Sequence, residues 1–505
     1  MPPSAFSPIT ADTNPRGDAG VRGPSRFWMY GTCALLAAAL MLYAQTRAFT
    51  DDEGVHLLAA QLIRGGMRPY LDFCFPQTPL NAYWNAFWMG IGGESWRTAH
   101  TIASLETSGA VTLAAHFIYT HLPERPWRLA GAIAAAALIG LNATVVQFGP
   151  LGQAYGICLF TSVCAFRLAV VAVDRSTPWV SAATGLLAGI GAASSLLAAM
   201  VAPVLFIWMV WHNRAGSRTL KSIAFAGGSA LPFLAVVRLF VRSPWVVWFN
   251  VAQYHLRFRE VYWPDPMSHD LETLTAWMSE PQSLLMGLLS VFAIVYIARR
   301  SDWSRERRAE FYLCGWLAAG ITAELAFAHP TFPRYFCLLA PFLGILSVPG
   351  LYALGSRVLD PFRPVWPVVV ICGLSIMPLA RALHENRSLS TWPEYEDMAR
   401  KLVAVTPPGK SMFTDEGVYF VARRWPPRGM EFGYSHKLKL PPEKLAALHI
   451  TPETTLQQEL ADGVFGAAAT CDSENVGTYA LETIFQHKDD LHDCSVFSNW
   501  QRAAK

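Results

Sequence analysis

Three observations predict a polytopic α-helical membrane protein with a soluble α/β domain at its carboxyl end. Apolar residues make up 52% of the 505 and charged ones only 15%, where ordinary soluble chains carry about 25%. Apolar runs long enough to cross a bilayer stop near residue 383, and the last 120 or so residues lack them. Lysine and arginine also collect on one side of the implied membrane. The net charge of +3 is spread over the loops between helices and gives no argument for nucleic acid.

Taken in order, residues 1–26 hold Pro and Gly among polar neighbours and read as a disordered cytoplasmic leader. The run Phe27–Ala44 is longer than a signal-peptide core, and no small-x-small site closes it, so it is an anchor. Windows of about 20 apolar residues then mark about eleven spans. They lie near 27–46, 99–120, 127–147, 150–173, 178–193, 195–212, 219–240, 281–298, 309–328, 333–354 and 363–383. The stretch 178–212 is ambiguous: Gly189, Gly191, Ser194 and Ser195 interrupt an uncharged run that fits two short helices or one long tilted one.

Positive charge decides. With the amino end inside, inner loops contain Arg125, Arg128, Arg175, Arg214, Arg218, Lys221, Arg299, Arg300, Arg305, Arg307, Arg308, Arg357 and Arg363. Outer turns near 148, 194 and 330 have none before Arg334. One long helix would invert everything downstream, so the break at 194 is favoured. The membrane module is then 27–383, with outer segments at 47–98 and 242–280 and an outer domain at 384–505.

Cys33, Cys158, Cys164, Cys314, Cys337 and Cys372 lie in apolar spans and behave as small hydrophobes. Cys471 and Cys494 are the pair in the tail that an oxidising compartment could bridge. No Cys-His cluster has zinc-ligand spacing.

Asp51, Asp52 and Glu53 crowd the exit of the first span, where ionised groups are costly unless solvated, paired or working. Val55–Ile63 has helical periodicity, so the acids would also sit at a helix start, favoured by its dipole. Gly65-Gly66 ends that helix. Arg68-Pro69-Tyr70-Leu71-Asp72 and Pro76-Gln77-Thr78-Pro79 lead into an aromatic run, 80–91, suited to the membrane interface.

The order Asp-Glu-Gly, Gly-Gly-x-x-Pro-Tyr-x-Asp, then Pro-x-x-Pro-Leu resembles the first outer loop of polyprenol-phosphate-sugar glycosyltransferases of the GT-C fold. These include bacterial relatives of protein O-mannosyltransferases and of the aminoarabinose transferase that modifies lipid A. The likeness recurs at Gln147–Gly156, at His329–Tyr335 followed by Leu338–Phe342, and in the tail at Met412–Glu416. It implies a bacterial inner membrane location, an outward-facing site, a polyprenyl-phosphate-linked sugar as donor, and a glycan, lipid or protein hydroxyl as acceptor.

It also implies roles. The family's base maps onto Asp52 and its neighbouring acid onto Glu53, with Asp51 a competitor for the first. Arg334, with Tyr335 and His329, would compensate the lipid phosphate. Asp72, Gln153 and Tyr155 would contact substrate. A divalent metal, Mg or Mn, held by Asp52, Glu53 or Asp72 is a second option. Asp72 also suits a turn, Arg334 a snorkelling position, and Glu324 has no assignable role inside its apolar helix. The aromatic loop 242–280 reads mainly as an interfacial belt, although His255, Arg257 and Arg259 could grip a substrate.

The tail alternates short apolar runs with helical stretches such as Glu394–Val405 and Pro442–Leu448, as a small α/β domain does. A multi-span transporter or flippase of a lipid-linked substrate is the alternative, but the internal repeats of such folds are not visible. A cell-wall polymerase would concentrate its chemistry in a late loop, and a scaffold would not need these ordered acids.

Overall fold

The computed structural model describes residues 24–501 except 264, 329, 359–363 and 386–389. After α1 (Pro24–Thr46) the chain leaves the apolar layer for α2 (Asp51–Arg64) and α3 (Leu80–Gly92), then returns as α4 (Trp96–His121). Gly65 closes α2, and the Ser95 side chain opens α4 by accepting from the Arg97 amide. Next come α5 (Arg128–Gly140), α6 (Ala143–Phe148), α7 (Tyr155–Ala172), α8 (Trp179–Ser194) and α9 (Val201–Trp211). Ser195 is extended (φ −154, ψ 130), so the 178–212 stretch is two short helices, divided where the charge pattern placed the break.

The remaining membrane-side helices are α10 (Arg218–Ala230), α11 (Leu234–Arg242), α12 (Pro244–Trp248), α13 (Tyr254–Tyr262), α14 (Pro266–Ser279), α15 (Pro281–Arg299), α16 (Arg305–Phe327), α17 (Ala340–Val358) and α18 (Val365–Glu385). Among the described residues, six helical segments are long and apolar enough to cross a bilayer: Arg26–Thr46, Tyr155–Ala172, Arg218–Arg242, Pro281–Arg299, Pro333–Arg357 and Val365–Glu385. Other expected spans are helical but short, as in α5, α8 and α9, or carry buried polar groups. In α4 these include His100 and Thr107, and the half-buried Glu106 accepts from the Trp84 indole at 2.8 Å. Small residues bring α8 and α10 into backbone contact. A methyl group at Gly185 would lie 2.1 Å from the Phe225 carbonyl, and one at Gly228 2.1 Å from that of Ala182. Ile223, Leu288, Val291, Val370 and Met377 point outward, as a lipid-facing surface requires.

The tail builds a four-stranded sheet from β1 (Ser411–Phe413), β2 (Phe465–Thr470), β3 (Phe485–Leu491) and β4 (Cys494–Trp500), in the order β1-β2-β4-β3. β1 and β2 are parallel and the other pairs antiparallel, with helices α20 (Glu416–Ala422) and α22 (Glu453–Ala461) in the β1–β2 crossover. The short α21 (Pro442–Ala447) lies between them. Edge strand β3 exposes Lys488, Asp489 and Asp490, charges that discourage edge pairing. Cys471 and Cys494 are disulfide-bonded, tying the end of β2 to the start of β4. α19 (Trp392–Val405), where Glu394 reaches back to accept from the Thr391 amide at 2.8 Å, packs the domain onto α2 and α3. Leu57, Leu58 and Ala82 share one apolar core with Trp392, Tyr395, Val418 and Phe420. Two remote stretches of chain thus hold the start of α2 between them.

Candidate active site

Consecutive residues on a helix point about 100° apart, so the acids opening α2 meet different surroundings. Glu53 is fully buried. Its carboxylate takes hydrogen bonds from His100 Nε2 at 2.9 Å, Trp392 Nε1 at 3.0 Å and, very closely, the Gly152 amide. His100 Nδ1 in turn donates to the Ala44 carbonyl at 2.6 Å; both acceptors lack hydrogens, so both ring nitrogens carry one and the ring is an imidazolium. Any Cβ at Gly152 would stand 2.9 Å from the Glu53 carboxylate, which explains glycine there. Glu53 therefore clamps the end of α1, α4, the 149–154 turn and α19 together. Asp51 accepts from the Tyr395 hydroxyl at 3.1 Å, and burial raises its pKa above the usual carboxylate range.

Asp52 faces a cavity of about 550 Å³. Its Oδ2 lies 2.8 Å from Nη1 of Arg334, which precedes α17 and crosses the rings of Phe332 at 4.6 Å and Tyr335 at 5.9 Å. From α13, Arg259 and His255 reach the same space, and burial and Arg259 hold the His255 imidazole down to about 4. Rings form a continuous wall: Tyr254 on Phe258 (5.5 Å), Phe258 on Trp263 (5.6 Å), Trp263 on Phe332 (5.4 Å), with Phe432 and Tyr434 joining from the tail. The turn after Ser195 closes another side. Gln153 Oε1 and Thr78 Oγ1 line the cavity buried and, among the described residues, without a hydrogen-bond partner, a cost that a bound polar ligand would relieve.

Of the residues singled out from sequence, Asp52, Arg334, Tyr335, Gln153 and Tyr155 converge on this cavity. Glu53 lies behind it, spent on structure. Asp72 lies apart, held by the Arg68 guanidinium (two contacts at 2.8 Å) and the Arg68 amide, which keep its carboxyl below the usual range. His329 falls outside the described residues. The three carboxylates offered for a metal are thus separated and separately engaged. Among the described residues, no three His, Cys, Asp or Glu side chains come together as a metal centre. Glu324 gains a role: its Oε2 accepts from the Met200 amide at 3.0 Å, near the start of α9.

The aromatic segment divides. Trp245 and Trp248 stay exposed as a belt would, whereas Tyr254, Phe258 and Trp263 turn inward because π- and α-helical turns carry them over the cavity. His56, Phe432 and Tyr434 went unnoticed in the sequence. Four-residue spacing from Asp52 could have flagged His56, but no local signal marks the other two.

No protein-family profile matches the chain, and no curated protein matches it in sequence. Solved structures do. The crystal structure of ArnT from Cupriavidus metallidurans in the apo state gives a TM-score of 0.64 at 13% identity, over 95% of this chain and 100% of that one. The same protein bound to undecaprenyl phosphate gives 0.62 at 12%, over 94% and 99%. The fold is that of ArnT. An oligosaccharyltransferase from Archaeoglobus fulgidus, tethered to an acceptor peptide, matches with a TM-score of 0.50 at 12% identity, over 91% of this chain and 71% of that one. Another structure of that oligosaccharyltransferase, at 0.50 and 12% over 88% and 67%, is a complex with Zn and sulfate. The ArnT fold thus covers both the membrane helices and the terminal sheet, the GT-C architecture implied by the loop motifs. The long apolar helices make the chain a multi-pass membrane protein.

Proposed function

We propose that this chain is a membrane glycosyltransferase that moves a sugar from a polyprenyl-phosphate donor onto an acceptor hydroxyl at the outer face, with Asp52 as general base. The observation that carries the reading is the Asp52–Arg334 pair, 2.8 Å apart on the wall of the large aromatic cavity. ArnT, whose fold the chain shares, has been crystallised with undecaprenyl phosphate.

In this mechanism the acceptor oxygen attacks the anomeric carbon while Asp52 takes its proton. The bond from that carbon to the phosphate oxygen breaks, and the departing lipid phosphate gains a negative charge. Arg334 meets that charge with its remaining donors, and Arg259 adds a second cation from across the cavity. Before the donor binds, Arg334 is committed to Asp52. An arriving phosphate shares the guanidinium and frees the carboxylate, so the base is exposed when the donor is in place. The ring wall keeps water from competing with the acceptor. Glu53 positions the start of α2, and no step runs through a metal. The amino end lies inside and the terminal domain outside. A glycan, a lipid or a protein side chain would supply the hydroxyl.

Transfer from radiolabelled polyprenyl-phosphate sugars in membranes tests this. Asp52→Asn should lower turnover about 10²–10⁴-fold, and Arg334→Ala should abolish measurable transfer, both in folded protein. Undiminished turnover in Asp52→Asn would defeat the assignment, as would cysteine labelling that puts positions 52 and 334 on opposite sides of the bilayer.

A further inference from the structure

His56 lies one helical turn after Asp52, on the same face of α2, and lines the same cavity. Its hydrogen bonds define which ring nitrogen carries the proton. Nδ1 lies 3.3 Å from Nδ2 of Asn81, and that same nitrogen lies 3.0 Å from the Gly152 carbonyl. A carbonyl only accepts, so this Asn81 atom is the amide NH2, and its second hydrogen meets the ring. His56 Nδ1 must then accept, which leaves the proton on Nε2. Phe75 packs edge-on against the imidazole, ring centroids 6.0 Å apart, and fixes its plane. Nε2 has no hydrogen-bond partner among the described residues.

We propose that His56 is a donor-binding residue whose Nε2–H bonds a phosphoryl oxygen of the lipid phosphate beside Arg334. The assignment rests on the glycosyltransferase reading and deepens it. A neutral donor suits this position beside the Asp52–Arg334 pair. A lysine here would pair with Asp52 and compete for the base, whereas an uncharged imidazole adds a hydrogen bond to the anion and leaves the carboxylate alone. Burial supports the neutral form: it holds the ring down to about 4, against the pull of Asp52 and Glu53.

The test is equilibrium binding of undecaprenyl phosphate to the full-length protein in nanodiscs. His56→Phe keeps the ring and removes the N–H, and should raise Kd about tenfold or more, as for loss of one hydrogen bond to a charged oxygen. In His56→Gln the side-chain amide can reach the place of Nε2, and should restore Kd to within about threefold of the parent. Rescue by glutamine separates hydrogen bonding from packing. Equal affinity in the phenylalanine variant and the parent would overturn the assignment, and so would equal weakening by both substitutions. If the parent binds and Arg334→Ala does not, an unchanged His56→Phe defeats the histidine role alone. No saturable binding by the parent would sink the glycosyltransferase reading and this one together. Should His56→Phe fail to fold, ¹⁵N spectra of the labelled parent serve instead: undecaprenyl phosphate should shift the His56 Nε2 signal, and an unmoved signal counts against the bond.

Discussion

Asp52-Glu53-Gly54 in α2 and Asp415-Glu416-Gly417 in the tail are the same triplet at two helix starts, and the two meet. A methyl group on Gly54 would stand 2.6 Å from the Gly417 nitrogen. Their side chains nevertheless go separate ways. Glu53 is fully buried and saturated by three donors, while Glu416 stays partly exposed and accepts from the Gly433 amide at 2.5 Å. Asp52 pairs directly with a cation on the wall of a cavity. Asp415 sits outside that cavity lining among other acids, and burial with Glu416 and Asp51 pushes it up to about 8. A short acidic motif therefore does not define a role; the charge opposite it does.

The largest contrast should appear in turnover. Asp52→Asn is expected to lose about 10²–10⁴-fold, whereas Asp415→Asn should stay within about threefold of the parent in the same transfer assay. Similar losses in both would erase the distinction drawn here. The glutamates should separate in stability instead. Removing Glu53 strands a buried imidazolium, an indole N–H and an amide, and should cost about 3–5 kcal/mol. Glu416→Ala removes one partly exposed hydrogen bond and should cost about 1 kcal/mol. Denaturation midpoints of the purified variants measure both.

The glycines come next. Gly54→Ala drives a methyl group into the backbone of residue 417, and should destabilise by about 1–3 kcal/mol because backbone cannot give way. A Cβ at Gly417 would instead meet the Tyr395 ring at 3.1 Å, a side chain able to shift, so Gly417→Ala should cost less. Equal midpoints for the two variants would show that the helices separate freely.

How much of this was legible beforehand depends on the range of each interaction. Helices and the break at Ser195 follow from runs of apolar residues and the placement of arginine, both local properties. Asp52 and Arg334 stood out because each lies where an apolar span meets water. The fate of Glu53 was hidden: its partners His100, Gly152 and Trp392 are 47, 99 and 339 residues away. Phe432 and Tyr434 reach the cavity only because the tail shares a core with α2, and apolar patterning names no partner. Asp72 shows the converse. Arg68 is four residues before it and the turn between them was readable, yet the family likeness lent the acid a site role that the turn does not support.

The smallest effect should be a pH dependence centred on the tail's triplet. Burial and mutual repulsion raise the carboxyls of Asp51, Asp415 and Glu416 in the folded chain. For Asp415 the folded value is about 8, against about 4 when unfolded. The folded state therefore holds a proton that the unfolded state releases between those values. Its contribution to stability is complete below about pH 4, declines as pH climbs toward 8, and changes no further above that. Neighbouring acids and solvent share the charge, so the slope should be modest. Asp415→Asn removes it, and the variant's melting temperature should gain on the parent's steadily from pH 5 to pH 8. A constant difference across that range would mean that Asp415 ionises in the folded protein as it does in the unfolded chain, and that the two triplets differ less in their electrostatics than their surroundings suggest.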